Sequence, residues 1–338
     1  MIYFDVTQTG AARHHSGLNR VNVRLRTEAG NAFTAVAWPN WSRRVRPDDW
    51  FLTTELFSEA ERPGLTEWLR SRPCRLAAVF HDAIPLRHPD ITWPQSVARH
   101  PEYMSLLAEF DRVFAVSETS RQDLLSFWRW QERPARAEVS LLALGADGLG
   151  GDRRTEAPDP RGPLFLAVGI LEPRKNQAFL LDLAEELWSE HVVFALHLAG
   201  RVNPRFGRPL LTRIRHLQTR FPGLLVHHRS ATDEALVRLY RQARATLFAT
   251  RAEGCGLPVL ESLWQGVPCL CSDLPVLRET ADGGGCLLLP LEQPERWKEA
   301  LRTLARDDVA WRRLAGSAVV RPLPRWSEAA ETLVRACA

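Results

Sequence analysis

Twelve short apolar runs alternate with amphipathic stretches along this 338-residue chain. Such runs, each bounded by turn residues and followed by a helical period, are the pattern of parallel sheets covered by helices. In the first half they predict strands at 2–6, 33–38, 50–53, 76–81, 113–117 and 139–144, with helices between them such as 18–29 and 120–130. Ser117 or Thr119 stands where a cap for the latter helix belongs. A stretch rich in Gly, Pro and charge, GADGLGGDRRTEAPDPRGP, then runs from Gly145 to Pro163 and reads as a linker. The pattern restarts with strands expected at 164–170, 193–199, 224–228, 245–249, 269–272 and 286–289, and the tail reads as helices carrying Trp297, Trp311 and Trp326. The implied architecture is two doubly wound, Rossmann-like α/β domains, residues 1–150 and 163–320, with 321–338 a helix that packs back on the first domain. Open parallel sheets bind ligands at the carboxyl ends of their strands. The functional residues are therefore expected just after strands, facing a cleft between the domains.

Composition narrows the partners. Hydrophobic residues make up 45% of the chain, enough for two buried sheets. The net charge of +4 says little, but its placement says more: from Arg13 to Arg46 there are seven arginines and one acid, Glu28. Such a stretch suits phosphates or an anionic membrane surface, or is simply solvated. It has no interleaved aromatic platform, and no nucleic-acid motif is present, so nucleic acid is not an expected partner. The six cysteines form no C-x-x-C pair and lie mostly in apolar runs, as reduced, buried thiols do. No leader is visible in MIYFDVTQTG, and no apolar run approaches the roughly 18 residues of a spanning helix. A cytoplasmic protein is expected, with any membrane contact peripheral and at the inner face.

Four segments carry chemistry. In VGILEPRKNQAFLL a strand ends, Arg174 and Lys175 follow, and a helix begins. Two cations before a helix N-terminus suit a diphosphate, or are an ordinary solvated helix start. Lysine occurs only at Lys175 and Lys298, against 42 arginines, so its use beside Arg174 points to a selected point charge. In ATRAEGCGLPVLESLW the loop glycines Gly254 and Gly256 allow close backbone approach, and the helix starts near Leu257. Glu253 and Glu261 could accept hydrogen bonds from two points of one elongated polar ligand, or could serve the helix end. In AAVFHDAIPLRHP, His81 ends a buried strand and could donate to a sugar or acceptor hydroxyl, or be satisfied by local backbone. In TGAARHHSGLNRVNVRL, Gly17 precedes a helix bearing Arg20 and Arg24, while His14 and His15 match no metal motif.

Taken together, PRKN after a strand, EGCGLPVLE about 80 residues on, then GVPCLCSDLPVLRE, SGLNR, FHDAIPLRHP and RVFAVSETSRQDL resemble the retaining nucleotide-sugar glycosyltransferases of family 4. The resemblance covers most of the chain and implies a GT-B fold with the donor in the interdomain cleft. It implies that Arg174 and Lys175 hold the diphosphate and that Glu253 contacts the donor sugar hydroxyls. The backbone at Gly254, Cys255, Gly256 and Leu257 would lie beside sugar and phosphate, and Glu261 would bind the ribose. His81 would sit near the transferred sugar, Gly17 would close over the phosphate, and Glu279 matches a further acidic position. Cys255 stands where the family commonly has an aromatic residue.

The activity so implied is transfer of a hexose, of mannose or glucose type, from a nucleotide-diphosphate sugar to a hydroxyl acceptor. The acceptor would be a carbohydrate or lipid-linked saccharide in surface polysaccharide or glycoconjugate synthesis. The sequence has no D-x-D triplet and no metal-spaced ligand cluster, so no metal or cofactor is expected. Leaving-group charge would fall to Arg174, Lys175 and helix ends. No carboxylate offers itself as a nucleophile, and the resemblance implies front-face attack with the donor phosphate taking the acceptor proton. A nicotinamide dehydrogenase lacks its fingerprint here, since 7–17 has no G-x-G-x-x-G. A degenerate GT-B binding subunit and a nucleotide-sugar epimerase are the remaining alternatives.

Overall fold

The computed structural model describes residues 1–11, 17–42, 45–156 and 162–338. The chain divides into two compact units, one formed by Met1–Gly148 with Pro324–Ala338, the other by Leu149–Leu323. His14, His15 and the arginines Arg13, Arg43 and Arg44 of the basic stretch lie outside the described residues.

Unit 1 runs β1 (Ile2–Asp5), α1 (Gly17–Ala29), β2 (Phe33–Val36), β3 (Trp50–Thr53), α2 (Leu65–Ser71), β4 (Arg75–Phe80), α3 (Ile84–Arg87), α4 (Pro94–Leu107), β5 (Arg112–Ala115), α5 (Glu118–Trp130) and β6 (Glu138–Leu141). Its strands form one parallel sheet in the order β2-β1-β3-β4-β5-β6. Phe51, Leu76, Ala78, Phe80 and Val113 pack under Leu69, Met104, Leu107, Leu124 and Trp128. α5 starts where it does because the Ser117 hydroxyl accepts the Ser120 N–H at 3.0 Å.

Unit 2 runs β7 (Leu164–Val168), α6 (Gln177–Ser189), β8 (Ala195–Ala199), α7 (Arg208–Arg220), β9 (Leu225–His228), α8 (Asp233–Gln242), β10 (Ala245–Phe248), α9 (Leu257–Trp264), β11 (Cys269–Ser272), α10 (Pro275–Ala281), β12 (Cys286–Leu289), α11 (Pro294–Arg306) and α12 (Asp308–Val320). This sheet is also parallel, in the order β12-β11-β10-β7-β8-β9. Side chains alternate across it, as strand geometry requires. Phe165, Leu196 and Leu198 face α6 and α7, whereas Leu166 and Ala199 pack with Leu236, Leu239 and Tyr240 of α8. Both faces are therefore covered, the doubly wound arrangement expected from the alternating runs.

The last helix, α13 (Trp326–Ala336), belongs to unit 1 and packs on α1. Trp326 is wholly buried. Its approach depends on Gly145, where a Cβ would lie 2.2 Å from the Trp326 backbone nitrogen. Asp147 accepts the Trp326 N–H at 2.9 Å, and Ala146 donates to the Pro324 carbonyl at 2.8 Å. The start of the Gly-rich segment is thus built into unit 1 rather than hanging as a free tether. All six cysteines are free, with Cys74, Cys269, Cys271 and Cys337 buried.

In each sheet the chain reverses its winding direction once. The reversal lies between β1 and β3 in unit 1, and between β7 and β10 in unit 2. Strand ends diverge at such a point, opening a crevice that ligands occupy.

Candidate functional site

The loops after β7 and β10 lie side by side because those strands are neighbours across the reversal. They are stitched together: Arg251 N donates to the Arg174 carbonyl at 2.8 Å, and the buried Thr250 hydroxyl sits 3.0 Å from the same carbonyl. This brings three of the expected residues into one cluster. Glu253 Oε1 accepts Lys175 Nζ at 2.5 Å and Arg174 Nη1 at 2.9 Å, with Thr250 Oγ1 at 3.0 Å. Arg174 Nε donates to Glu172 Oε1 at 3.1 Å, and Glu172 Oε2 accepts Asn203 Nδ2 at 3.0 Å.

Lys175 is held from two further sides. Its ammonium lies 4.6 Å from the centre of the Phe248 ring, a cation–π distance. Its stem runs along Gly169, where a Cβ would come within 3.4 Å of three stem carbons. Burial pulls Lys175 below the usual lysine range, against the pull of Glu253. Burial also resists ionisation of Glu253, but the Lys175 and Arg174 charges outweigh it and hold the carboxyl below its usual range. One carboxylate oxygen is thus shared by the Lys175 and Arg174 donors.

The rest of the motif builds the start of α9. Gly256 precedes it at φ +85°, a backbone conformation that favours glycine, and a Cβ there would also lie 2.7 Å from Leu277 Cδ2. Gly254 is buried, and Leu257 opens the helix with Pro258 behind it. The Cys255 carbonyl accepts the Thr280 hydroxyl at 2.6 Å. Burial pushes the Cys255 thiol up to about 12, with the Glu253 and Glu279 charges adding to it. A protonated thiol is no nucleophile at neutral pH, and what this segment presents is backbone. Glu261 does not join the Glu253 cluster: it is 2% exposed and accepts the Tyr240 hydroxyl at 3.1 Å. Glu279 stands exposed on α10.

Gly17 and His81 belong to unit 1. Gly17 is the exposed first residue of α1, with nothing among the described residues within 4 Å of where a Cβ would stand. His81 follows β4, buried, with Nε2 2.8 Å from the Thr54 carbonyl. A carbonyl only accepts, so Nε2 carries the proton. Burial lowers the His81 pKa, which keeps the ring neutral and leaves Nδ1 with a lone pair. Of the two readings of this residue, the structure shows backbone taking the Nε2 proton, which leaves Nδ1 as an acceptor.

A network missed at the level of sequence links these positions. Asn22 of α1 donates to the Thr54 hydroxyl at 2.9 Å and to the Asp5 carbonyl at 3.0 Å. Asp5 Oδ2 accepts Arg62 Nη1 at 2.6 Å and Thr53 Oγ1 at 2.7 Å, and Arg62 Nη2 also meets Glu55 Oε2. Glu55 in turn holds the loop after β1, accepting Gln8 N at 2.8 Å and Thr9 N at 2.8 Å. Asp5 ends one of the two strands that flank the reversal and Glu55 stands just after the other, which is the one sequence signal that could have singled them out.

Residues 152–318 match the model of the glycosyl transferases group 1 family, a span that contains both stitched loops. This span of the chain is a domain of that family. It is 31% identical to the serotype-specific mannosyltransferase WbdA of Escherichia coli over 68% of its own length, and the matched stretch spans 29% of that protein. With the O-antigen chain mannosyltransferase B of Escherichia coli it shares 27% identity over 75% of its length and 66% of the relative's. The fold resembles that of an alpha,alpha-trehalose 6-phosphate synthase from Burkholderia multivorans, with a TM-score of 0.68 at 14% identity, covering 97% of this chain and 77% of that one. The fold is accordingly GT-B, two Rossmann-like units in one chain. Among the described residues no helix is long and apolar enough to cross a membrane, and no group of three or more His, Cys, Asp or Glu side chains is placed to hold a metal ion.

Proposed function

We propose that this chain transfers a hexose from a nucleotide-diphosphate sugar to a hydroxyl of a saccharide acceptor, with mannose as the sugar and with retention at the anomeric carbon. The observation that carries the reading is the convergence of Arg174, Lys175 and Glu253 at the reversal of the unit 2 sheet. Cations at that point suit a diphosphate leaving group, and an adjacent carboxylate suits sugar hydroxyls. Two features of the relatives, mannose transfer and O-antigen chains, support mannose and a surface polysaccharide as acceptor. A lipid-linked acceptor and a peripheral position at the inner membrane face fit the basic stretch.

The chemistry follows from charge. As the glycosidic bond breaks, negative charge grows on the β-phosphate, and preorganised cations in a partly desolvated site stabilise it without reorganising. Arg174 and Lys175 would supply that charge, with the start of α9 presenting backbone N–H groups, so no metal is needed. With Cys255 protonated and Glu253 assigned to the sugar hydroxyls, front-face attack, in which the donor phosphate takes the acceptor proton, is the proposed route to retention. His81 Nδ1 would accept from a hydroxyl of the bound sugar. Incubation of the full chain with GDP-mannose and a mannose-terminated oligosaccharide, with NMR of the product, tests the reading. An α-linked mannose is the expected product. A β-linked product removes retention, and no transfer from any nucleotide hexose removes the enzyme reading in favour of a binding subunit.

A further inference from the structure

Arg174 and Lys175 are the residues a diphosphate would need, and both spend donors on one carboxylate oxygen. Lys175 Nζ and Arg174 Nη1 meet at Glu253 Oε1, and Thr250 Oγ1 closes on the same atom. The Lys175 and Glu253 side chains are only 10% and 8% exposed. Neither charge could stand alone there, because an unpaired ion in a half-dry site is costly. We infer that Glu253 is an internal stand-in for the donor diphosphate: it holds the two cations until a diphosphate arrives and then gives them up, which frees it for the sugar.

The exchange is balanced in charge and hydrogen bonds. A diphosphate offers more acceptor oxygens than one carboxylate, so it can take the Lys175 and Arg174 donors together. Little of the loop has to move, because Phe248, Gly169 and the Arg174 carbonyl contacts hold the backbone and the lysine stem independently of Glu253. Glu253 is then released only when a diphosphate is present. A free monosaccharide would meet a carboxylate already committed to cations and would bind poorly, whereas the same sugar attached to a diphosphate brings the group that releases it. The arrangement favours intact donor over free sugar, and competition from Glu253 lowers the affinity for the spent nucleoside diphosphate.

This inference rests on the proposed donor site, and the test separates the two. The full chain and its Glu253→Gln variant are titrated calorimetrically with GDP and UDP, and with guanosine and uridine as phosphate-free controls. Glu253→Gln keeps the shape and removes the competing charge. The variant is expected to bind the preferred nucleoside diphosphate about tenfold more tightly or better, the scale of one charge-assisted hydrogen bond, with nucleoside binding unchanged. The gain should vanish when Lys175→Ala is added. Thermal unfolding supplies a second readout: Glu253→Gln, which strands two cations, should melt below wild type without ligand and recover most of the difference with the diphosphate. If the parent binds a nucleoside diphosphate and Glu253→Gln binds it equally or more weakly, Glu253 braces the cations and the stand-in role is overturned while the donor site survives. If neither protein binds any nucleoside diphosphate, the donor site falls and the inference falls with it.

Discussion

Replacing Arg62 by Met gives the sharpest test of how unit 1 holds its strand-end loops. Arg62, Asp5 and Glu55 have side chains only 1% exposed, and the guanidinium is the cation shared by both carboxylates. Removing one partner of a buried ionic group costs about 3–5 kcal/mol, because the remaining charge is stranded. Solvent screening offers no relief at this burial. For a unit of this size the loss corresponds to roughly 6–20 °C in melting temperature, at about 2–4 °C per kcal/mol. The chain can soften the penalty by protonating Glu55, whose carboxyl burial, and then the Asp5 charge, already hold above its usual range. A carboxyl raised in the folded state keeps its proton longer than in the unfolded one. Its contribution is therefore fully present below the unfolded value near 4.5 and is lost as pH rises through the folded value. The Arg62→Met deficit should be smallest in mild acid and should grow with pH by at most about 1.4 kcal/mol per unit. Native-state hydrogen exchange at the β1 and β3 amides of the full chain reads this locally, apart from unfolding of unit 2. A deficit under about 1 kcal/mol, or one flat from mild acid to mild base, would refute the reading of an ionised, jointly held network.

The other predictions concern the donor loops and the returning helix. Lys175→Ala should weaken nucleoside diphosphate binding by about ten- to a hundredfold, since it removes a charge-assisted contact and the cation over Phe248; unchanged affinity by calorimetry would take Lys175 out of the site. Gly145→Ala should destabilise unit 1 by about 1–3 kcal/mol, because the new methyl must displace the Trp326 backbone, and urea unfolding that matches wild type would show that α13 can shift at little cost. Sugar transfer should persist in excess EDTA, and activity that vanishes with chelator and returns with a divalent cation would contradict charge neutralisation by Arg174 and Lys175 alone.

Strand positions were legible because a parallel strand buried on both faces is largely apolar, so Leu164–Val168 and Ala245–Phe248 stand out from their polar surroundings. Strand order was not legible. Nothing in the runs themselves says that β10 pairs with β7 rather than with β9. That one pairing creates the candidate site, since it carries Glu253 across some 80 residues to Lys175 and Arg174. Reading by motif therefore gave the residues but assigned them separate partners, phosphate for the cations and sugar for the acid. Their mutual contact is a property of topology. The Asp5–Arg62–Glu55 network was invisible for a related reason. Single charged residues dozens of positions apart look like surface, and only a fold that closes β1 beside β3 turns them into a neutralising group.

The two reversal points differ in how they treat charge, and the difference argues for different duties. In unit 1 the charges at the reversal are fully enclosed and spend their hydrogen bonds on one another and on the loop backbone of Gln8 and Thr9. Such a group is sealed from solvent and fixes geometry. In unit 2 the charges are only partly enclosed, with Arg174 still 23% exposed beside a carboxylate of 8%. That intermediate burial is where a ligand can compete. Full exposure would let water screen the cations, and full burial would make their release from Glu253 too costly. A half-dry pair of cations held by a replaceable carboxylate is what reversible capture of a diphosphate requires, and the enclosed network of unit 1 has the rigidity needed to hold the backbone at Gln8 and Thr9 and to support the segment whose Thr54 carbonyl sets the His81 tautomer.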